Sequence, residues 1–457
     1  MLILAAALAA AIHAADRVAE SDLAGHIRVL ASEEFEGRKP GTAASNKTLS
    51  YIATAWARAG LVPGAPGGWY QPVALLDRSP RIATLSLRGR RQVSIPADAI
   101  VALGADPAVD LAGHRLVEVG ADPKHMPDVA GQIAVSRIVP GAPFSLRGQG
   151  EALVKAGAAA VLFLLPDEGT LPAIREGLTA VTTSPAGAKG LRLYAEAKSF
   201  DALRARAGGG DLSLSGRVLT NVRPYQSYNV IGRIPGTGAT GEAVAIIAHW
   251  DHLGICRPEG APDRICNGAV DNASGIAVMI EVAERLELGP RPARDIVFIA
   301  TTAEESGLLG AAAYVANPSV PLDKIVALLN IDTIAIGPRG LPVSAVNRGN
   351  TAIDPLIDEI ARQQGRALDQ DLDANAFITR QDGSEFTKAG VPSVMVGGSF
   401  ADIVKLLAFL GSVYHAPDDE FSDALPLGGA AEDAELHILL TRALADPRRY
   451  PAPPRKP

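Results

Sequence analysis

The second half of the chain carries three apolar runs, at residues 243–248, 296–300 and 325–331, the last broken by Asn330 alone. Each is too short for a helix and has the length of a strand buried on both faces. Segments of helical periodicity lie between and beyond them. Ile276, Met279, Ile280, Ala283 and Leu286 fall on one helical face, with Asn272 and Ser274 as its capping residues. Further helices are predicted over 307–316 and 352–364, a strand over 391–396, and a long final helix over 430–445. This alternation predicts an α/β fold, a largely parallel mixed sheet covered by helices on both faces. In such sheets ligands gather beyond the carboxyl ends of the strands.

The first half is organised differently. Residues 21–32 and 45–60 read as amphipathic helices, separated by a Gly/Pro turn at 34–43. From Gln92 to Ser215 the pattern is short strands with frequent Gly and Pro and a single helix at 146–156, flanked by strands at 129–138 and 159–165. A structureless loop of that length is improbable inside a compact domain. The segment therefore reads as a smaller β-rich domain inserted into the main one. The expected organisation is a signal peptide at 1–15, a main domain made of 16–91 and 216–446, the insertion at 92–215, and a disordered Pro-rich tail at 447–457. Residues 236–241 spell a dinucleotide-type GxGxxG, but they precede a strand and open no helix, so a hairpin turn is expected there.

Hydrophobic residues make up 47% of the chain and charged residues 20%, which is a globular balance. The formal net charge of -7 argues against a nucleic-acid partner, whose phosphates attract basic surfaces. Arg88, Arg90 and Arg91 form the one compact basic cluster in the body of the chain and read as a solvated turn. No run reaches the ~18 apolar residues needed to span a bilayer. Residues 2–12 are apolar and Ala-rich, and Ala14 and Ala15 follow before charge begins at Asp16; this is the pattern of a signal peptide, so export to the periplasm or beyond is expected. Cys256 and Cys266 either close the loop between them as a disulfide in an oxidising compartment or stand as two reduced thiols.

The candidate chemistry sits where the buried strands end. His249 closes the first run, Glu304 and Glu305 follow the second, and Asp332 follows the third, with Asp271 and His415 as further candidates. Ionisable side chains at the ends of buried strands call for pairing or a metal. Two imidazoles and three carboxylates exceed the ligand set of one tetrahedral zinc, and they suit two metals sharing a carboxylate. Glu304, adjacent to a ligand and pointing elsewhere, is the candidate general base. Asp251, two residues after His249, is placed to orient that imidazole as a supporting partner. His252 has no such motif role and reads as structural, and His13, His26, His114, His125 and His437 are isolated.

Five segments, taken in order, resemble the metal motifs of the co-catalytic zinc exopeptidases, a family that includes secreted leucyl-type aminopeptidases and glutamate carboxypeptidase. They are His249-Trp-Asp251-His-Leu-Gly, Asn267-Gly-Ala-Val-Asp271-Asn-Ala-Ser-Gly275, Ala303-Glu304-Glu305-Ser-Gly-Leu-Leu-Gly310, Asn330-Ile-Asp332 and Tyr414-His415-Ala-Pro-Asp418. The resemblance implies two Zn2+ ions bridged by Asp271, with His249 and Asp332 completing one site and Glu305 and His415 the other. It also implies Glu304 as base and Asp251 as support. Residues 382–392 resemble the family's site-lining segment, although Gly383 and Ser384 stand where aromatic or His residues are common. Residues 30–38 and 40–42 resemble the start of these enzymes, and 129–135 and 156–158 resemble an inserted protease-associated domain. The implied activity is an aminopeptidase acting on peptides, with a carboxypeptidase or dipeptidase as the alternative and a non-catalytic receptor-like relative as the more distant one.

Overall fold

The computed structural model describes residues 16–453 apart from 121–126, 140–145, 167–169, 180–181, 186 and 188. The expected signal peptide therefore lies outside the described residues, as do His13 and His125. Contacts divide the chain into two compact units, Met1–Val73 with Gln226–Pro457, and Ala74–Tyr225. The second of these units is longer than the 92–215 segment set apart by sequence pattern. The chain passes between the units inside two long strands, Tyr70–Arg88 and Ser213–Ile234.

In the first unit a mixed sheet is built from β1 (Ser213–Ile234, through its last residues), β2 (Ala243–His249), β3 (Asp295–Thr301), β4 (Ile325–Asn330), β5 (Ser344–Val346) and β6 (Ser393–Gly397). The spatial order is β5-β6-β4-β2-β3-β1. β2 runs parallel to both β3 and β4, and β4 parallel to β6, while β1 and β5 pair antiparallel with their neighbours and the two-residue strand Val62–Pro63 adds antiparallel to β1. The two-residue period of the strands sorts their side chains between two cores. Val244, Ile246 and Ala248 face one, with Ile296, Phe298 and Ala300; Ala245, Ile247, Val297 and Ile299 face the other. Helices cover both faces. α1 (Glu20–Leu30), α2 (Ala43–Ala59), α3 (Ser274–Glu287) and α8 (Leu427–Ala445) contribute to the first core, and α4 (Leu309–Ala316) and α6 (Gly383–Lys388) to the second. The helix expected at 352–364 is α5 (Asp354–Gln363), and α7 (Ile403–Leu410) lies beyond β6.

Residues 236–241 are not a hairpin. β1 and β2 both pair with β3, on its opposite sides, so the connection crosses that strand. The turn is held there by Gly236 N–H donating to Asp295 Oδ1 at 2.7 Å. The start of the expected tail is also ordered: Tyr450 is buried, and its carbonyl accepts from Arg294 Nη1 at 2.7 Å.

The second unit is more helical than its sequence suggests. It contains the helices Leu146–Lys155, Thr170–Thr179 and Ala197–Arg206. Strands Ala108–Val119, Ile133–Arg137, Ala160–Leu165 and Leu191–Glu196 pair in parallel, and Val101–Gly104 closes the edge antiparallel. No helix among the described residues of the chain is long and apolar enough to cross a membrane.

Candidate metal centre

The site forms beyond the carboxyl ends of β2, β3 and β4. His249 is the last residue of β2, Glu304 and Glu305 follow β3, and Asp332 follows β4. Asp271 belongs to the irregular turn Ala269–Ala273 that leads into α3, where Asn272 Oδ1 caps the helix by accepting from Gly275 N at 3.0 Å. Ser274, the other expected cap, instead donates its hydroxyl to the Val270 carbonyl. His415 comes from the loop after α7. Ala303, Thr333 and His415 all hold positive φ, at 54°, 51° and 60°. Left-handed backbone at non-glycine residues is strained, and such strain gathers at functional sites.

Asp271 stands between the two imidazoles. Its Oδ1 lies 3.2 Å from His249 Nε2 and its Oδ2 lies 3.3 Å from His415 Nε2. Asp332 Oδ1 is 3.5 Å from His249 Nε2, and Glu305 Oε2 is 2.8 Å from His415 Nε2. Two sets of donors result, one of His249, Asp271 and Asp332, the other of His252, Asp271, Glu305 and His415. His415 Nε2 and Asp271 Oδ2 are shielded from solvent and make no hydrogen bond, although they face one another. Lone pairs converging without hydrogen bonds between them are the arrangement a cation requires, and the mixture of imidazole and carboxylate suits zinc.

Supporting contacts fix each ligand. His249 Nδ1 donates to the Asp251 backbone carbonyl at 3.1 Å, which leaves the Nε2 lone pair free. The Asp251 carboxylate, expected to orient the imidazole, is 3.9 Å from Nδ1 and accepts instead from Glu304 N at 3.1 Å. Asp419, unnoticed in the sequence, accepts from the backbone amides of Val270 and Asp271 at 2.9 and 3.1 Å. Arg38 is fully buried and donates to the carbonyls of Trp250, Leu30, Asn267 and Gly268 at 2.6–2.9 Å. It thereby ties the segment after His249 to the segment before Asp271. A Cβ at Gly37 would lie 2.1 Å from the Cys266 carbonyl, so this turn fits closely only as glycine. Cys256 and Cys266 form a disulfide.

Electrostatics separate the two kinds of carboxylate. Burial raises Asp271, but the His249 and His415 imidazoles outweigh it and hold the group well below its ordinary range. Glu304 goes the other way. Loss of hydration pushes it well above the ordinary value; His249 opposes this, and Asp382, Asp332 and Glu305 reinforce it. A raised carboxylate beside a metal site is suited to holding and passing a proton. His252 is not the isolated structural residue expected, because its Nδ1 lies 2.6 Å from Glu305 Oε1. The pocket over the site is lined by Phe377, Met395, Phe400, Leu406, Leu410 and Tyr414, together with Arg380.

This sheet, with metal-type residues at its carboxyl end, is the fold of the zinc exopeptidases. Residues 229–435 match the family model described as Peptidase family M28. A probable lipoprotein aminopeptidase of Mycobacterium tuberculosis is 30% identical over 214 residues, covering 44% of this chain and 38% of that protein. A probable glutamate carboxypeptidase of Arabidopsis thaliana is 30% identical over 197 residues, covering 37% of this chain and 27% of that protein. The chain thus matches well under half of either relative's length. The solved aminopeptidase from Aneurinibacillus sp. strain AM-1 superposes with a TM-score of 0.60 at 21% identity, covering 95% of each chain, and shares the fold.

Proposed function

We propose that this chain is an exported di-zinc aminopeptidase. The observation that carries the reading is Asp271, whose two oxygens face two different imidazoles within 3.3 Å. His249 and Asp332 would hold one zinc, Glu305 and His415 the other, and Asp271 both. Bound there, the metals would supply an acidified water and polarisation of the scissile carbonyl. Glu304, with its raised proton affinity, takes the proton from the attacking water and delivers it to the leaving amine. Asp251 fixes the Glu304 backbone through its amide. The apolar wall of Phe377, Phe400, Leu406 and Leu410 receives an apolar first side chain, and the surrounding carboxylates suit a free ammonium group. The disulfide supports export, and the compact unit 74–225 supports reading that segment as a protease-associated insertion.

One feature favours a second reading, a carboxypeptidase or dipeptidase. Arg380 lines the same pocket, and among the described residues its guanidinium has no ion-pair partner. Hydrolysis of Leu-Ala-amide against N-acetyl-Ala-Leu separates the two. The aminopeptidase reading expects turnover of the first alone, and turnover of the second alone overturns it.

A further inference from the structure

Glu305 meets two histidines, one on each oxygen. Oε2 faces His415 Nε2 at 2.8 Å, within the donor set that includes Asp271. Oε1 is 2.6 Å from Nδ1 of His252, a buried ring that packs edge-on to His415 with centroids 5.6 Å apart. An ionised carboxylate can only accept, so Nδ1 carries the proton of this bond. The ring has little room to turn. A Cβ at position 268 would lie 2.6 Å from its Cγ and Cδ2, and Gly268, at φ +62°, has its carbonyl held by Arg38 Nη2 at 2.8 Å. Nδ1 is also 3.8 Å from Asp271 Oδ2, so it is this nitrogen that faces the carboxylates, and it is already committed to Glu305.

We propose that His252 is a positioning residue of the second metal subsite: its Nδ1–H fixes Glu305 Oε1 and so reserves Oε2 for the cation that Asp271 and His415 also face. The inference rests on the two-metal reading above. It reverses the usual arrangement, in which a carboxylate steadies a ligating imidazole; here an imidazole steadies a ligating carboxylate.

The test is zinc titration against a competing chelator, with metal content by mass spectrometry, on wild type, His252→Ala and His252→Asn. Asn offers an amide N–H near the place of Nδ1. His252→Ala should bind the second zinc roughly 10–100-fold more weakly, as loss of an outer-shell partner does. His252→Asn should restore that affinity to within a few-fold. X-ray absorption on the zinc-loaded wild type should count about one imidazole per zinc. A count midway between one and two would make His252 a ligand and overturn the proposal without any variant, even if His252→Ala failed to fold. Unchanged second-site affinity in His252→Ala, with two zincs in wild type, would sink the His252 role alone. Fewer than two zincs in wild type would sink the two-metal reading itself.

Discussion

Each of the two units carries a run of parallel strands, and the two runs end differently. In the second unit, Val161, Leu162, Phe163 and Leu164 are fully buried in a strand whose two faces serve two apolar clusters. In the peptidase unit the strands are as deeply buried, yet they deliver His249, Glu304, Glu305 and Asp332 beyond their carboxyl ends. Among the described residues both candidate metal clusters lie in the peptidase unit. The architecture alone therefore does not make a site. What distinguishes the peptidase sheet is a set of ionisable groups held by outside residues, Arg38 and Asp419 above all, and backbone bent into left-handed geometry around them.

That contrast implies that changes at the first sheet's end alter chemistry, whereas changes in the second alter stability. The largest effect is expected at Glu304. Glu304→Gln should retain both zincs while turnover falls by roughly 10²–10⁴-fold, the usual contribution of a general base. Metal analysis beside steady-state kinetics checks this, and near-normal turnover would remove Glu304 from the mechanism. Next, Leu162→Ala should cost about 2–5 kcal/mol, as for a cavity in a packed core, measured by urea unfolding. Zinc content should not change, and its loss would show that the two regions are not separable as described.

A smaller effect should follow from His437 in α8. The ring is fully buried, and its Nδ1 donates to the Asp433 carbonyl at 2.7 Å. Burial pushes it down from 6.5 to about 4, so between those pH values the unfolded chain binds a proton that the folded chain does not. Stability is therefore fully present above the unfolded value and falls as pH drops towards 4, by about 3 kcal/mol at most. Denaturant midpoints of metal-free protein across that range should show the slope, and His437→Gln should flatten it.

Much of the peptidase unit was legible because its strands are continuous apolar runs that stop abruptly at a charged residue. Ala243 to His249 is the clearest case. What escaped depends on partners distant in sequence. The turn at 236–241 looked like a hairpin because nothing local records that β3 comes to lie between β1 and β2. His252 looked idle because Glu305 is 53 residues away. Asp251 meets His249 through its carbonyl and not its carboxylate, a choice set by backbone direction. In the second unit, Thr170–Thr179 contains Pro172 and Gly177, which weaken a helical signal that packing restores. Arg38 is charged and sits in a Gly-containing turn, so only its four buried carbonyl partners reveal its place.

The most direct test is crystallography of the zinc-loaded chain with anomalous data at the zinc edge. Two peaks about 3.5–4 Å apart on either side of the Asp271 carboxylate are expected. A single peak, or peaks that leave Asp271 uncoordinated, would contradict the shared-carboxylate centre.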